Sequence, residues 1–184
     1  MMDKPKMIYG LRPVYEALTA GKEIEKVFIQ KGLRGNIYAD VWQLIRAYHI
    51  PFQFVPAEKL TSLVRGNHQG IVAYTAAIEY TELTTLVPFL FEQGELPFLL
   101  VLDRITDVRN FGAIARTASC AGVHGLVIPV RGSAMIHADA IKTSAGALQL
   151  IPVCRVGSLS SAVSFLKESG LQIAAISEKA EQAY

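Results

Sequence analysis

The spacing of apolar residues in the first 74 positions predicts a series of alternating helices and strands. Apolar residues at helical spacing predict helices in LRPVYEALTAG, NIYADVWQLIRAYHI and AEKLTSLVR. Short β-rich runs predict strands in KVFIQ, FQFV and GIVAY. Pro51 ends the second helix and separates it from the strand that follows. This order of elements predicts a compact α/β/α domain over residues 1–74.

The pattern becomes a regular strand–helix series from residue 97 onward. The predicted strands are FLLVLD, GLVIPV, QLIPVCRV and LQIAAIS, with helices at about 112–121, 137–147 and 159–169. Ser158 is predicted to cap the N-terminus of the last helix, and Gly170 is predicted to end that helix at its C-terminus. Nearly continuous apolar strands predict a parallel sheet covered by helices, so a second domain is expected over 97–184. The looser stretch 75–96, with one helix at about 83–91, is predicted to be a linker.

Composition narrows the class of protein. Hydrophobic residues make up 51% of the chain and charged residues 18%, which indicates a packed core and not a disordered chain. No apolar run is long enough to cross a bilayer, and the first residues lack a signal-peptide core, so we expect a cytoplasmic protein. Cys120 and Cys154 lie in apolar surroundings and are expected to be buried and unpaired. The four histidines have no ligand spacing, so no metal site is expected.

The charge of the chain is unevenly distributed. Residues 1–74 contain ten basic and six acidic residues, whereas residues 75–184 contain eight basic and ten acidic residues. A basic first domain permits a polyanionic partner such as RNA, although a solvated lysine-bearing face would give the same counts.

Polar residues near two turns of the first domain are candidate RNA contacts. The glycine-flanked turn VRGNHQG contains Arg65, Asn67 and His68, and Tyr9 and Arg12 lie near the first helix. Each of them could meet RNA phosphates or base edges. A polar turn that only connects two elements is an equally good interpretation.

The run DRITDVRNFGAIARTASCAG directly follows a predicted strand of the second domain, where parallel α/β sheets usually bind ligands. The stripe predicted to face the sheet consists of Ile114, Ala118 and Ala121. Arg116 lies opposite that stripe and is therefore solvated, directed at a ligand or packed against another chain. Asn110 could be a helix cap, and Gly112 a tight-turn glycine. The absence of G-x-G-x-x-G argues against a nicotinamide or flavin site.

The sequence DVRNFGAIARTA resembles the first signature motif of the SpoU (TrmH-type) family of RNA ribose 2′-O-methyltransferases, through Asn110, Gly112 and Arg116. KTSAGALQLIPV resembles the next recurrent stretch of that family. IYGLRPVYEAL and NHQGIVAY resemble its optional N-terminal RNA-binding domain. The chain is most similar to the bacterial subgroup that methylates a guanosine ribose in large-subunit ribosomal RNA. Val108 stands where the family usually has proline, which implies a looser loop.

The resemblance implies methyl transfer from S-adenosylmethionine to a ribose 2′-hydroxyl of RNA, in an active site that the family shares between the two chains of a homodimer. It also implies that Asn110 orders the catalytic loop, that Gly112 is a structural loop glycine and that Arg116 engages the RNA. A guanidinium stays protonated in proteins, so we expect Arg116 to hold a phosphate and stabilise the developing alkoxide, and not to act as a general base.

The resemblance also implies a fold of the SPOUT, trefoil-knot class. The two later family motifs, which build the knotted cofactor pocket, are not matched in this sequence. We therefore expect the cofactor-binding loops to lie beyond Tyr184, and the methyltransferase domain to be truncated before the knot. The chain would then be an incomplete methyltransferase that is inactive alone, a form retaining only RNA binding, or a two-domain protein with another purpose. A non-catalytic RNA-binding module is the alternative function. Uncovered sheet edges and apolar helix faces favour dimerisation or aggregation.

We expect calorimetry on residues 1–184 to detect no micromolar binding of S-adenosylmethionine, because the cofactor motifs of the family are not matched. A family member that contains both motifs is the positive control. Micromolar binding by residues 1–184 would contradict this expectation.

Overall fold

The computed structural model describes residues 6–176, whose strands form two sheets. The strands of the first domain are β1 (Met7–Tyr9), β2 (Ile24–Gln30), β3 (Phe52–Val55) and β4 (Ile71–Thr75). Its helices are α1 (Leu11–Thr19), α2 (Asn36–Ala47) and α3 (Ala57–Leu63). The sheet order is β1-β4-β2-β3, with β4 antiparallel to β1 and β2 and with β3 parallel to β2. The sequence pattern predicts all of these elements except β1, whose three residues are too few to show a period.

Helices cover both faces of the first sheet. On one face, α1 and α2 bury Leu18 and Ile45 against strand residues such as Val27. On the other face, α3 buries Leu60 against Val72. Apolar side chains on both faces of the central strands explain why these runs show little polar alternation. The predicted α/β/α domain is therefore confirmed.

The second domain has a parallel three-stranded sheet with the order β5-β6-β7. Its strands are β5 (Leu99–Val101), β6 (Gly125–Pro129) and β7 (Val153–Val156). Its helices are α4 (Leu83–Glu92), α5 (Val108–Cys120), α6 (Ala138–Thr143) and α7 (Leu159–Glu168). Helices α5 and α6 pack on one face of the sheet, and α4 and α7 on the other. The predicted parallel sheet with helices on its faces is confirmed.

Helix α4 lies within the stretch 75–96 that the sequence predicts as a linker. Its buried residues Leu86 and Leu90 belong to the same apolar cluster as Val127 of β6 and Leu166 of α7. Helix α4 is therefore part of the core of the second domain.

Two predicted elements of the second domain differ from the structure. Residues 171–176 form no strand, although LQIAAIS was predicted as one; Ser177 lies outside the described residues. Leu171 and Ile173 instead pack by their side chains against the α4–α7 face. The helix predicted at about 137–147 ends at Thr143, and the left-handed backbone at Ala145 and Gly146 prevents its continuation.

The two cysteines lie in different environments. Burial, with a smaller contribution from the charge of Glu82, raises the pKa of the Cys154 thiol to about 12. Cys120 is exposed at the end of α5, so the prediction that both cysteines are buried is wrong for Cys120. Neither forms a disulfide.

Among residues 6–176, no helix has the length and apolar character required to cross a membrane.

A buried carboxylate joins the two domains. Glu25, at the start of β2, accepts hydrogen bonds from the Tyr80 hydroxyl and, at 2.9 Å, from the backbone N–H of Ile136. Arg155 of β7 lies 3.5 Å from the same carboxylate and donates to the carbonyl oxygen of Ile24 at 3.2 Å. The Arg155 guanidinium also lies 4.1 Å from the centre of the Tyr80 ring. Burial and the nearby Glu25 carboxylate raise the pKa of the Tyr80 hydroxyl well above its usual value.

We expect Glu25→Ala to lower the free energy of unfolding by about 3–5 kcal/mol, because it leaves Arg155 as an unpaired buried charge. Chemical denaturation measures this change. The control is Glu16→Ala on the exposed surface of α1, which should change the free energy of unfolding by less than about 0.5 kcal/mol. Equal unfolding curves for the two variants would contradict the prediction.

Candidate functional site

Helix α5 begins directly after the loop that follows β5. The Asp107 carboxylate caps this helix by accepting the backbone N–H of Asn110 at 2.8 Å. Asn110 therefore lies in the first turn and is not the cap. Its side chain is exposed and has no hydrogen bond to another described residue. In the preceding loop, Arg104 has a left-handed backbone and binds the Asp103 carboxylate at 3.0 Å.

Arg116 lies on the solvent-exposed side of α5. The buried face of this helix consists of Phe111, Gly112, Ala115 and Ala118. Of the predicted stripe, only Ala118 is fully buried, because the buried Phe111 ring sets the rotation of the helix and leaves Ala121 exposed. Arg116 is exposed as predicted, and it has no ion pair within residues 6–176.

Asn110 and Arg116 are carried by one helix but are not in contact. Six residues of α-helix separate them by about 9 Å along the axis and by about 120° around it. Both side chains are exposed on opposite flanks of the buried face. A single chain therefore presents these two residues to solvent without joining them into one site.

Gly112 lies inside α5 and not in a loop, which corrects the sequence prediction. A Cβ atom on Gly112 would lie 2.8 Å from the Thr143 Cβ and 2.9 Å from the Ala140 carbonyl oxygen. Glycine is therefore required for the close approach of α5 and α6. Because Gly112 and Arg116 are one turn apart, this contact places α6 on the side of α5 that carries Arg116.

The turn at residues 64–70 is built around β1 and the start of α1. The Gln69 side chain accepts the backbone N–H of Leu11 at 2.9 Å, and Gln69 itself has a left-handed backbone. A Cβ atom on Gly66 would lie 2.6 Å from the Tyr9 ring, so this ring lies directly against the turn. The sequence pattern does not reveal this role of Gln69, because its partner is 58 positions away along the chain.

The candidate RNA contacts of this turn fall into two groups. Asn67 accepts the backbone N–H of Gln69 at 3.3 Å, and His68 accepts that of Gly70 at 3.0 Å, so both stabilise the turn itself. The side chains of Arg65, in this turn, and of Arg12, in the first turn of α1, are both exposed. The structure thus brings the predicted residues together and leaves the two arginines available to a ligand.

Further cations lie at the end of the first sheet that carries the turn at residues 64–70. Strands β2 and β3 end there and β4 begins there, since Ile29 pairs with Ile71 and Gln30 with Val55. We define the basic end as the four exposed residues that lie in the loops or first helical turn at this edge: Arg12, Lys31, Arg34 and Arg65. Within the described part of the chain, none of these four forms an ion pair.

The described residues do not provide a fitted pocket for S-adenosylmethionine. The two buried polar or charged residues of this part of the chain, Glu25 and Ser144, have protein partners. No buried side-chain nitrogen or oxygen there lacks a hydrogen bond. A cleft of about 730 Å³ lies between the domains, but it is open to solvent and does not enclose a ligand. Across residues 6–176, no group of three or more His, Cys, Asp or Glu residues is placed so that it could hold a metal ion.

The expected position of the cofactor-binding loops, beyond Tyr184, stays a prediction. Tyr184 itself lies outside the described residues, which end at Ile176. The structure assigns no described residue to the cofactor.

Comparison with known proteins identifies the class of this α/β protein. Residues 97–184 match the SpoU rRNA methylase family, and residues 7–81 match the substrate-binding domain of RNA 2′-O ribose methyltransferases. The chain therefore belongs to the SpoU (TrmH) family of RNA methyltransferases, with the family's substrate-binding domain ahead of its methyltransferase domain.

Two bacterial relatives agree with this assignment. YacO of Bacillus subtilis, described as a TrmH family tRNA/rRNA methyltransferase, is 36% identical over 94% of this chain and 70% of its own length. A protein of Staphylococcus haemolyticus with the same description is 35% identical over 91% of this chain and 68% of its own length. Among solved structures, the AdoMet-bound rRNA methyltransferase from Sinorhizobium meliloti is 22% identical, with a TM-score of 0.42, over 89% of this chain and 58% of that chain.

We expect Gly112→Ala to lower the free energy of unfolding by about 1–3 kcal/mol, because the added methyl group must push α6 away from α5. The matched control is Gly157→Ala, since a Cβ atom at Gly157 would meet no atom within 4 Å. Thermal or chemical denaturation of both variants measures the difference. A Gly112→Ala protein as stable as the control would show that α5 and α6 do not require this contact.

Proposed function

We propose that this chain recognises RNA and contributes the acceptor side of an S-adenosylmethionine-dependent methyl transfer to a ribose 2′-hydroxyl. The proposed target is a guanosine of large-subunit ribosomal RNA. The supporting observation is the exposed Arg116 on α5, the helix that follows β5, in a chain of the SpoU family. S-adenosylmethionine would supply the methyl group, and no residue of this chain is assigned to hold it.

Arg116 is proposed to bind an RNA phosphate beside the acceptor ribose. Its guanidinium is exposed, has no carboxylate partner among the described residues and can donate two parallel hydrogen bonds to a phosphate. The same positive charge would stabilise the acceptor oxygen as its proton leaves. Because the guanidinium stays protonated, the proton must go to another group.

The first domain is proposed to position the RNA. The basic end presents four cations without carboxylate partners in the described chain, and such cations bind phosphates without reading the sequence. Arg12 and Arg65 are the proposed contacts among the predicted residues. Asn67 and His68 contribute by holding the turn in place.

A second subunit is proposed to complete the site. Asn110 and Arg116 point from opposite flanks of α5 and do not meet within one chain. A homodimer that packs against this helix would bring the exposed Arg116 of one chain to the site of the other. In this arrangement Arg116 would act in the site of the partner subunit, which would explain why it does not meet Asn110 of its own chain.

A non-catalytic RNA-binding module is the second candidate function. The observation that favours it is the basic end, whose four exposed cations form no ion pair in the described part of the chain. Both candidates require RNA binding, and only the first requires methyl transfer.

We expect Arg116→Lys to abolish most methyl transfer, because an ammonium cannot make the forked hydrogen bond, while cofactor affinity stays unchanged. The assay measures labelled methyl groups transferred to ribosomal RNA by the full-length enzyme. Lys167→Arg is the control, since Lys167 is exposed in the last turn of α7, away from α5 and its preceding loop. An active Arg116→Lys enzyme would overturn the proposed role. RNA binding on filters without any transfer by the wild type would favour the RNA-binding module.

A further inference from the structure

Four aromatic side chains form a continuous strip along α2 and the edge strand β3. We define the aromatic strip as Tyr38, Trp42, Phe52 and Phe54. The Trp42 ring centre lies 6.3 Å from that of Tyr38, 4.8 Å from that of Phe52 and 5.8 Å from that of Phe54. Phe52 and Phe54 lie on the same face of the strand because they are two residues apart.

The strip is open to solvent at the edge of the sheet. Strand β3 is the outermost strand of its sheet, and the Phe54 side chain is 43% exposed. Tyr38, Trp42 and Phe52 are partly buried against the core beneath them. The rings are therefore fixed from below while part of their surface remains free, as a stacking surface requires.

Two arginines lie above the strip. The Arg46 guanidinium is 5.9 Å from the Trp42 ring centre, and that of Arg131 is 5.6 Å from the Phe52 ring centre. Both arginines are exposed, and neither forms an ion pair in the described residues. Arg131 belongs to the loop after β6, in the second domain. Together with Phe52 and Lys26 it lines a cleft of about 180 Å³ between the domains.

The strip connects the basic end to the second domain. Helix α2 begins two residues after Arg34 of the basic end, and Tyr38 lies in its first turn. Phe54 lies near the end of β3 that adjoins the basic end, whereas Phe52 lies toward the other end, beside Arg131. The order along the surface is therefore the cations of the basic end, the aromatic rings and then Arg131 of the second domain.

We propose that the aromatic strip is a stacking platform for bases of single-stranded RNA on the way from the basic end to the methyltransferase domain. The inference rests on the proposed function, because it assigns a path to the RNA substrate. Unpaired bases stack on aromatic rings and on guanidinium planes, while arginines neutralise the adjacent phosphates. Aromatic residues that only covered the edge strand would need neither the arginines nor the continuity with the basic end.

Trp42 provides a direct reporter, because it is the only tryptophan of the chain. The chain is titrated with oligoadenylate and, separately, with inorganic polyphosphate, which carries charge but no bases. We expect oligoadenylate to quench the Trp42 fluorescence and polyphosphate at saturation to leave it nearly unchanged. Equal quenching by both polyanions would overturn the proposal.

Substitutions test the same platform through affinity. We expect Phe54→Leu to weaken oligoadenylate binding about tenfold, because a stacking contact is lost, and to leave polyphosphate binding unchanged. Phe91→Leu is the matched control, since Phe91 lies on α4 and is 45% exposed. Arg131→Gln, in an exposed loop, is expected to weaken oligoadenylate binding without affecting the fold.

The outcomes separate this inference from the proposed function. If oligoadenylate binds the wild type, Phe54→Leu and Arg131→Gln equally well, the platform is overturned while RNA binding stands. If neither the wild type nor any variant binds RNA on filters, the RNA-binding role and the platform both fail.

Discussion

The buried carboxylate of Glu25 is the interaction on which the arrangement of the two domains depends. A charge with 7% of its side chain exposed must be compensated, and its partners lie outside the first sheet: the Tyr80 hydroxyl in the segment between β4 and α4, and the Ile136 N–H and Arg155 of the second domain. These contacts hold the first sheet beside the ends of β6 and β7. In this arrangement the Arg131 guanidinium lies over the Phe52 ring, so the surface that crosses both domains requires the domains to keep this relative position.

Helix α5 shows how small features position functional side chains. Asp107 sets the first residue of the helix, Phe111 sets its rotation and Gly112 sets its distance from α6. Arg116 itself makes no ion pair with a described residue. Its location therefore results from residues that have no chemical role, and its exposed position leaves it free to meet a phosphate or a second chain.

The first domain separates the residues that hold its turn from those that can meet a ligand. Asn67, His68 and Gln69 direct their polar atoms to backbone groups, whereas Arg12 and Arg65 remain exposed. The polar turn and the proposed phosphate-binding surface are thus the same segment, in which different side chains serve the two purposes. This surface belongs to the part of the chain, residues 7–81, that matches the substrate-binding domain of RNA 2′-O ribose methyltransferases.

Elements with local signals could be predicted from the order of residues alone. Helical spacing located α2, Ser158 capped α7, and the residues around Asn110 and Arg116 indicated the family. Tertiary structure decided what depends on partners distant in the chain. The three residues of β1 form a strand only beside β4, and residues 171–176 are apolar but have no strand beside them in the described chain. Three further features also depend on distant partners: the contact at Gly112, the pairing of Glu25 with Arg155 and the aromatic strip. A local sequence pattern does not show which distant side chain a given residue will contact.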